Sequence, residues 1–198
     1  MGIIRGGDSE YVEHEPSFEE QTAKWEKTLQ PLLEEEPSSL KLSGKYISSD
    51  DVKIICNYPG VKTVRVLDLA DNQINDEALP VLFESENFAQ LEELYLGINF
   101  LIGQGLTDIA CSSKIKLNNL KTLVISDNRL TDASVADFIR SKNFPNLESL
   151  DVGWNEVGNE TAKALGEATS FSSLKTLILE RSYIEIEGLN EMVQGDLM

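Results

Sequence analysis

The chain has 198 residues, enough for one domain with a substantial core or for one repeat array. Its 34 acidic residues outnumber its 17 basic residues and give a net charge of -17, and a chain this acidic repels phosphate backbones and anionic headgroups. The charge therefore argues against nucleic acid and membrane as partners and favours a basic protein or peptide. The alternative is that the acidity only maintains solubility.

No leader or membrane segment is expected. Residues 1–10 lack a basic start followed by an apolar run, and no apolar stretch approaches the ~20 residues that a membrane helix needs. The two cysteines, Cys56 and Cys111, are too few and too far apart for a disulfide framework or a metal site. We expect both to be buried apolar side chains in a reducing compartment, and hence a cytoplasmic protein without cofactor or metal.

The first 36 residues divide into two segments. Residues 1–16 lack core-forming character, and we expect an acidic, disordered tail. Ser17 and Glu20 have the spacing of a capping box, and Pro31 is expected to end or kink the helix that they begin. One face of this helix carries Phe18, Thr22, Trp25 and Leu29. We interpret residues 17–36 as a capping helix over the first repeat. The alternative is an amphipathic helix that binds a partner or membrane, and its acidic face argues against membrane.

Residues 37–198 repeat a single pattern. Five segments share the pattern apolar-x-x-L-x-x-L-x-L-x-x-N-x-L, in which L is any aliphatic residue; they are 61–74, 88–101, 117–130, 144–157 and 171–184. Their central leucines are 27, 29, 27 and 27 residues apart. A weaker copy at 38–47 places Leu40 27 residues before Leu67. The repeats therefore start near residues 37, 64, 91, 120, 147 and 174.

Each repeat predicts a strand, a turn and a helix. The alternation around L-x-L is typical of a short strand with one buried face. The asparagine column should bond backbone groups of its own turn and of the next copy; it contains Asn72, Asn99, Asn128 and Asn155. Ser182 replaces asparagine in the last copy, which we expect to be frayed. The second half of each repeat carries an inward helical stripe, formed by Leu79, Leu82, Leu106, Ile109, Val135, Phe138, Ala162, Leu165, Leu189 and Met192.

These features resemble leucine-rich repeat proteins of the ribonuclease-inhibitor-like subfamily. The period, the L-x-x-L-x-L-x-x-N-x-L core and the helical half carry the resemblance over residues 37–194. It implies an α/β solenoid, a right-handed β-α superhelix of about six repeats, with a parallel sheet on the concave face and helices on the convex face. For function it implies protein–protein binding, commonly through the concave face. Six repeats form a shallow arc, suited to a peptide or a small surface.

The repeat register assigns two columns to the concave face: the residue between the paired leucines and the residue before the asparagine. From these columns we predict a partner-binding surface formed by Asp68, Asp71, Tyr95, Ile98, Val124, Asp127, Asp151, Trp154, Ile178 and Arg181. Exposed apolar side chains bordered by carboxylates resemble a hot-spot patch for a basic partner. The alternative is that these residues only stabilise neighbouring strands.

The sequence shows no catalytic constellation. Its one histidine, His14, lies in the expected tail, so a Ser-His-Asp or Cys-His arrangement on a rigid scaffold is not expected. No histidine and cysteine spacing suits a metal. We therefore predict a binding module that is not an enzyme. The alternative is a regulator of an enzyme such as a GTPase, acting by binding, and no catalytic residue of such a regulator can be placed on this sequence.

Overall fold

The computed structural model describes residues 17–168 and 173–194. The expected tail at 1–16 and Phe171 of the last copy lie outside these ranges. Within them, the helices are α1 (Phe18–Glu35), α2 (Ser49–Asn57), α3 (Ala78–Phe83), α4 (Gln104–Cys111), α5 (Asp132–Arg140), α6 (Asn159–Glu167) and α7 (Ile186–Gln194). The strands are β1 (Ser39–Lys41), β2 (Val66–Asp68), β3 (Glu93–Tyr95), β4 (Thr122–Val124), β5 (Ser149–Asp151) and β6 (Thr176–Ile178). Short 3-10 turns at Pro59–Thr63 and Glu86–Phe88 lead into β2 and β3.

The six strands form one parallel sheet in the order of the sequence. The strands pair in the register that the leucine column predicted: Leu40 pairs with Leu67, Leu67 with Leu94, and so on to Leu177. From β1 to β5 this leucine is fully buried, whereas Leu177 in β6 is only partly buried. Strands and helices alternate along the whole array, which confirms the predicted α/β solenoid of six repeats.

The apolar stripe of each helix packs behind the sheet. Stacked side chains from several repeats form one continuous core, in which the ring of Phe144 lies 5.7 Å from that of Phe83 and 4.7 Å from that of Phe138. The prediction is wrong for one residue of the stripe: Leu189 is 51% exposed. Its helix, α7, packs against α6 but has no further helix on its other side among the described residues.

A buried asparagine links each turn to the repeat before it. The Asn99 amide donates to the carbonyls of Leu69, Leu96 and Gly97, and its Oδ1 accepts the Ile74 N–H at 3.0 Å. Asn72, Asn128 and Asn155 repeat this arrangement. The expectation of bonds to the next copy is therefore wrong. Each amide bonds to its own turn and to the preceding turn.

Two aspartates link consecutive helices. Asp132, the first residue of α5, accepts the N–H groups of Gly158 and Thr161 through Oδ1 and that of Glu160 through Oδ2, at 2.8–2.9 Å. Asp76 binds the start of α4 in the same manner. Burial alone would raise the pKa of the Asp132 carboxyl, but the bonds from Thr161, Gly158 and Glu160 outweigh it and hold the pKa below its usual value.

Helix α1 covers the open end of the first repeat. The capping box of Ser17 and Glu20 is formed, and the Trp25 indole N–H donates to Asp51 of α2 at 2.6 Å. Leu29 and Leu33 are buried with it. The expectation that Pro31 ends the helix is wrong, because the helix continues through Pro31 to Glu35. Phe18 lines one cleft with Thr22, Trp25 and Leu29, as their shared helical face predicts, and is itself exposed.

We predict that Asn99→Ala lowers the free energy of unfolding by about 3 kcal/mol, since it leaves several buried backbone groups without partners at ~1–3 kcal/mol each. Urea denaturation followed by far-UV circular dichroism measures the change. Asn118→Ala, at an exposed asparagine, is the control and should stay within about 0.5 kcal/mol of wild type. A similar small change for Asn99→Ala would contradict the role of the buried amide.

We predict that Asp132→Asn destabilises the protein at pH 7 by about 1–2 kcal/mol, because one amide oxygen replaces two carboxylate oxygens that accept three N–H groups. The folded pKa of Asp132 is lowered, so its stabilisation is present above the unfolded value of about 3.9 and is lost as pH falls through the folded value. The difference in urea midpoint between variant and wild type should therefore shrink as the pH falls below the unfolded value of about 3.9. Glu160→Gln, which removes an exposed charge nearby, should show no such convergence.

Candidate partner-binding surface

The predicted residues between the paired leucines form one row across the sheet. Their strand register places Asp68 beside Tyr95, Tyr95 beside Val124, and Val124 beside Asp151, with Ile178 at the end. We call these five residues the strand row; neighbours in it are about 4.8 Å apart. Ile178 is exposed and the other four are half-buried. The side chains are close enough to contact one ligand together.

Hydrogen bonds fix three side chains of the strand row. Asp68 accepts the Ala70 N–H at 3.0 Å, and Asp151 accepts the Gly153 N–H at 2.9 Å. The Tyr95 hydroxyl donates to Glu93 at 2.7 Å, and this bond, together with burial, raises the pKa of Tyr95 to about 12. The tyrosine therefore remains a neutral donor at physiological pH. Both aspartates stabilise the turn after their strand as well as presenting charge.

The predicted residues before the asparagine form a second row, the turn row: Asp71, Ile98, Asp127, Trp154 and Arg181. All five have positive φ, between 52° and 60°, a conformation that costs a non-glycine residue roughly 1–2 kcal/mol. In the first four, the backbone N–H bonds to the following repeat: that of Asp71 donates to Gly97 and that of Trp154 to Glu180, at 2.9 and 2.7 Å. Every side chain of the row is exposed. The sequence did not signal this backbone conformation.

A third row lies two residues beyond the turn row and was missed. This outer row contains Tyr46, Gln73, Phe100, Arg129, Glu156 and Tyr183, all exposed. They occupy the x of the N-x-L consensus, which the repeat register already marked as non-core. Asn75 forms a parallel bridge with Phe100, and Thr131 one with Glu156. The outer row is therefore ordered by the same stacking as the sheet.

Exposed apolar side chains concentrate on these rows. In the described part of the chain, ten large hydrophobic side chains are exposed. Six lie in the three rows, namely Tyr46, Ile98, Phe100, Trp154, Ile178 and Tyr183. Ile102 lies two residues beyond Phe100, and the other three, Phe18, Ile186 and Leu189, lie in or at the start of helices. Such a concentration on one side is more than scattered surface hydrophobic residues would give.

The charged residues before the strands largely neutralise one another. Glu92 pairs with both Arg65 and Lys121, and Glu148 pairs with Lys175. The hydrogen bonds from Lys121 and Arg65 hold the pKa of Glu92 below its usual value. This edge of the sheet presents alternating signs, whereas the turn edge presents apolar side chains with carboxylates between them.

The described residues contain no group of histidine, cysteine and acidic side chains that could hold a metal ion, and none of their helices is long and apolar enough to cross a membrane. His14 lies outside the described residues. Burial raises the pKa of the Cys56 thiol to about 12. The prediction that Cys111 is buried is wrong: it is exposed at the last residue of α4.

Comparison with known proteins agrees with the repeat. A family model described as "Leucine Rich repeat" matches residues 62–80, 116–138 and 145–166. The chain therefore contains leucine-rich repeats. No curated protein matches it.

Several solved structures resemble part of the chain. An internalin from Listeria monocytogenes is 20% identical, with a TM-score of 0.43 over 80% of this chain and 46% of that one. The Arabidopsis receptor kinase HAESA, in complex with the peptide hormone IDA and the co-receptor SERK1, is 27% identical, with a TM-score of 0.48 over 81% and 25%. The plant peptide hormone receptor RGFR1, in complex with RGF2, is 19% identical, with a TM-score of 0.44 over 80% and 23%. The chain spans less than half of each structure.

We predict that a disulfide reagent such as Ellman's reagent titrates one of the two thiols rapidly in the native protein. Cys111 is exposed, whereas Cys56 is buried and its raised pKa keeps it protonated at pH 8. The second thiol should react only in denaturant. Cys111→Ser should abolish the rapid phase, and rapid reaction of both thiols in the native protein would contradict this assignment.

Proposed function

We propose that the protein is a protein-interaction module and not an enzyme, and that it binds a protein or peptide through the strand, turn and outer rows. The observation that carries this proposal is the concentration of exposed apolar side chains on these rows. Aromatic residues held in a fixed backbone are typical hot spots, because little entropy is lost when they bind. Trp154 and Phe100 meet this description, since stacking fixes the backbone of both repeats.

The dimensions of the surface favour a segment over an enveloped domain. Six strands at about 4.8 Å spacing span roughly 24 Å, the length of about seven residues of extended chain at ~3.3 Å each. A surface of this width suits a peptide segment or a small patch on a folded protein. We propose that Asp71 and Asp127, which are exposed in the turn row, face basic residues of the partner.

We also propose that the repeats are of the ribonuclease-inhibitor-like type and that the protein acts in the cytoplasm. The period of 27–29 residues and the helix in every repeat support the first proposal. The unpaired Cys56 and Cys111 support the second. Regulation of an enzyme such as a GTPase would be a special case of the same binding function, and the identity of a captured partner decides it.

We predict that Tyr95→Ala combined with Trp154→Ala abolishes capture of the partner from the native cell while leaving the melting temperature nearly unchanged. The affinity of the purified partner, measured by calorimetry, should fall at least 30-fold, because two hot-spot residues each contribute about 1–2 kcal/mol. Phe18→Ala combined with Ile186→Ala is the matched control, since both residues are exposed and apolar but lie outside the three rows. Unaltered binding by the first variant would contradict the proposed surface.

A further inference from the structure

We infer that the cleft lined by Arg129, Trp154, Arg181 and Tyr183 binds the carboxylate side chain of an aspartate or glutamate flanked by apolar residues. This inference rests on the proposed function and specifies one group of the bound segment. The cleft measures about 510 Å³ and lies between the turn row and the outer row of the last three repeats. Its volume falls within the range of small-ligand sites, so it admits a side chain and part of its neighbour.

The two arginines of the cleft have no ionic partner. Within residues 17–168 and 173–194 there are four arginines: Arg65 pairs with Glu92 and Arg140 with Glu167, whereas Arg129 and Arg181 form no ion pair. Glu156 lines the same cleft but lies beyond ion-pair distance of either guanidinium. In a chain with 34 acidic residues, two unpaired guanidinium groups in one cleft are a specific feature.

Arg181 lies beside the ring of Trp154. Its guanidinium carbon is 4.7 Å from the centre of that ring, and both residues have the left-handed backbone conformation. A guanidinium held beside an aromatic ring can still donate N–H groups to both oxygens of a carboxylate, so a bidentate bond can form there.

The acidic surroundings select a carboxylate over other charged groups. The cleft contains Glu156, and Asp127 and Glu180 directly precede Asn128 and Arg181 of its lining. A dianionic phosphate would meet greater repulsion from these groups than a single carboxylate. A lysine of the partner would place a third positive charge beside the two guanidinium groups and be repelled by them. The apolar part of the ligand would contact Trp154 and Tyr183, both of which are exposed.

The two tryptophans make the test specific. Trp154 lies in the cleft, whereas Trp25 is buried in α1, so their two indole N–H resonances report the site and an internal control. The probe is the blocked peptide acetyl-Leu-Glu-Phe-amide, titrated into the intact protein. We expect a saturable shift of the Trp154 resonance with a dissociation constant in the low millimolar range, and no shift of Trp25.

Matched peptides test the chemistry. Replacing the glutamate by glutamine should weaken binding at least fivefold. A tighter complex with the lysine or the phosphoserine peptide would overturn the carboxylate assignment. If the glutamine peptide binds only when its C-terminal carboxylate is unblocked, the group bound is a chain terminus. That outcome would also overturn the assignment to a side-chain carboxylate. Absence of a Trp154 shift with every peptide would overturn the site.

Matched variants test the residues. Arg129→Gln and Arg181→Gln should each weaken binding of the glutamate peptide at least fivefold. Arg140→Gln, which removes an arginine of the helical side, should leave the affinity for this peptide unchanged. Equal binding by all three variants would overturn the inference. The proposed function is tested separately. If both cleft variants retain the captured partner at full affinity while Tyr95→Ala with Trp154→Ala loses it, the surface stands and the carboxylate site does not.

Discussion

The asparagine shared by the four middle repeats makes the interactions on which the rest of the structure depends. A strand of three residues makes few ladder bonds, and the turn after it leaves several backbone groups inside the protein. One amide binds carbonyl groups of its own turn and of the preceding turn, and its oxygen binds the N–H of the segment before. Left unpaired inside the protein, these groups would each cost roughly 1–3 kcal/mol. The amide therefore fixes both the shape of one turn and its stacking on the preceding turn.

This arrangement separates the residues that build the array from the residues that can vary. Leucines and asparagines point into the stack, while the residue before each asparagine is left in a positive-φ conformation with its side chain exposed. The strain is held by N–H bonds to the following repeat, which do not involve that side chain. Aspartate, isoleucine, tryptophan and arginine all occupy the position. The same backbone can therefore present different chemistry in each repeat, which is the property a binding module needs.

The sequence predicted the parts of the structure that depend on periodicity. Spacing alone placed the strands, their register and most of the helical stripe, because each copy forms the same strand, turn and helix. It failed where a residue's environment depends on its position in the array: Leu189 matches the consensus but has no helix beyond it among the described residues, and Cys111 lies at a helix end. Pro31 shows that packing of α1 on the first repeat overrides a local helix breaker. The outer row was missed because a variable x in a consensus carries no signal until the fold shows that successive copies stack.

The distribution of charge follows from the same stacking. Residues at one repeat position lie about 5 Å from their equivalents, so a column of like charges would repel along its whole length, and this chain carries twice as many acids as bases. The column before the strands avoids repulsion by alternating sign from Arg65 to Lys175. On the turn edge the acids are instead separated by apolar residues and by the two cleft arginines. Those apolar residues and arginines are exposed to solvent and contribute little to the core, so the fold itself does not require them at these positions.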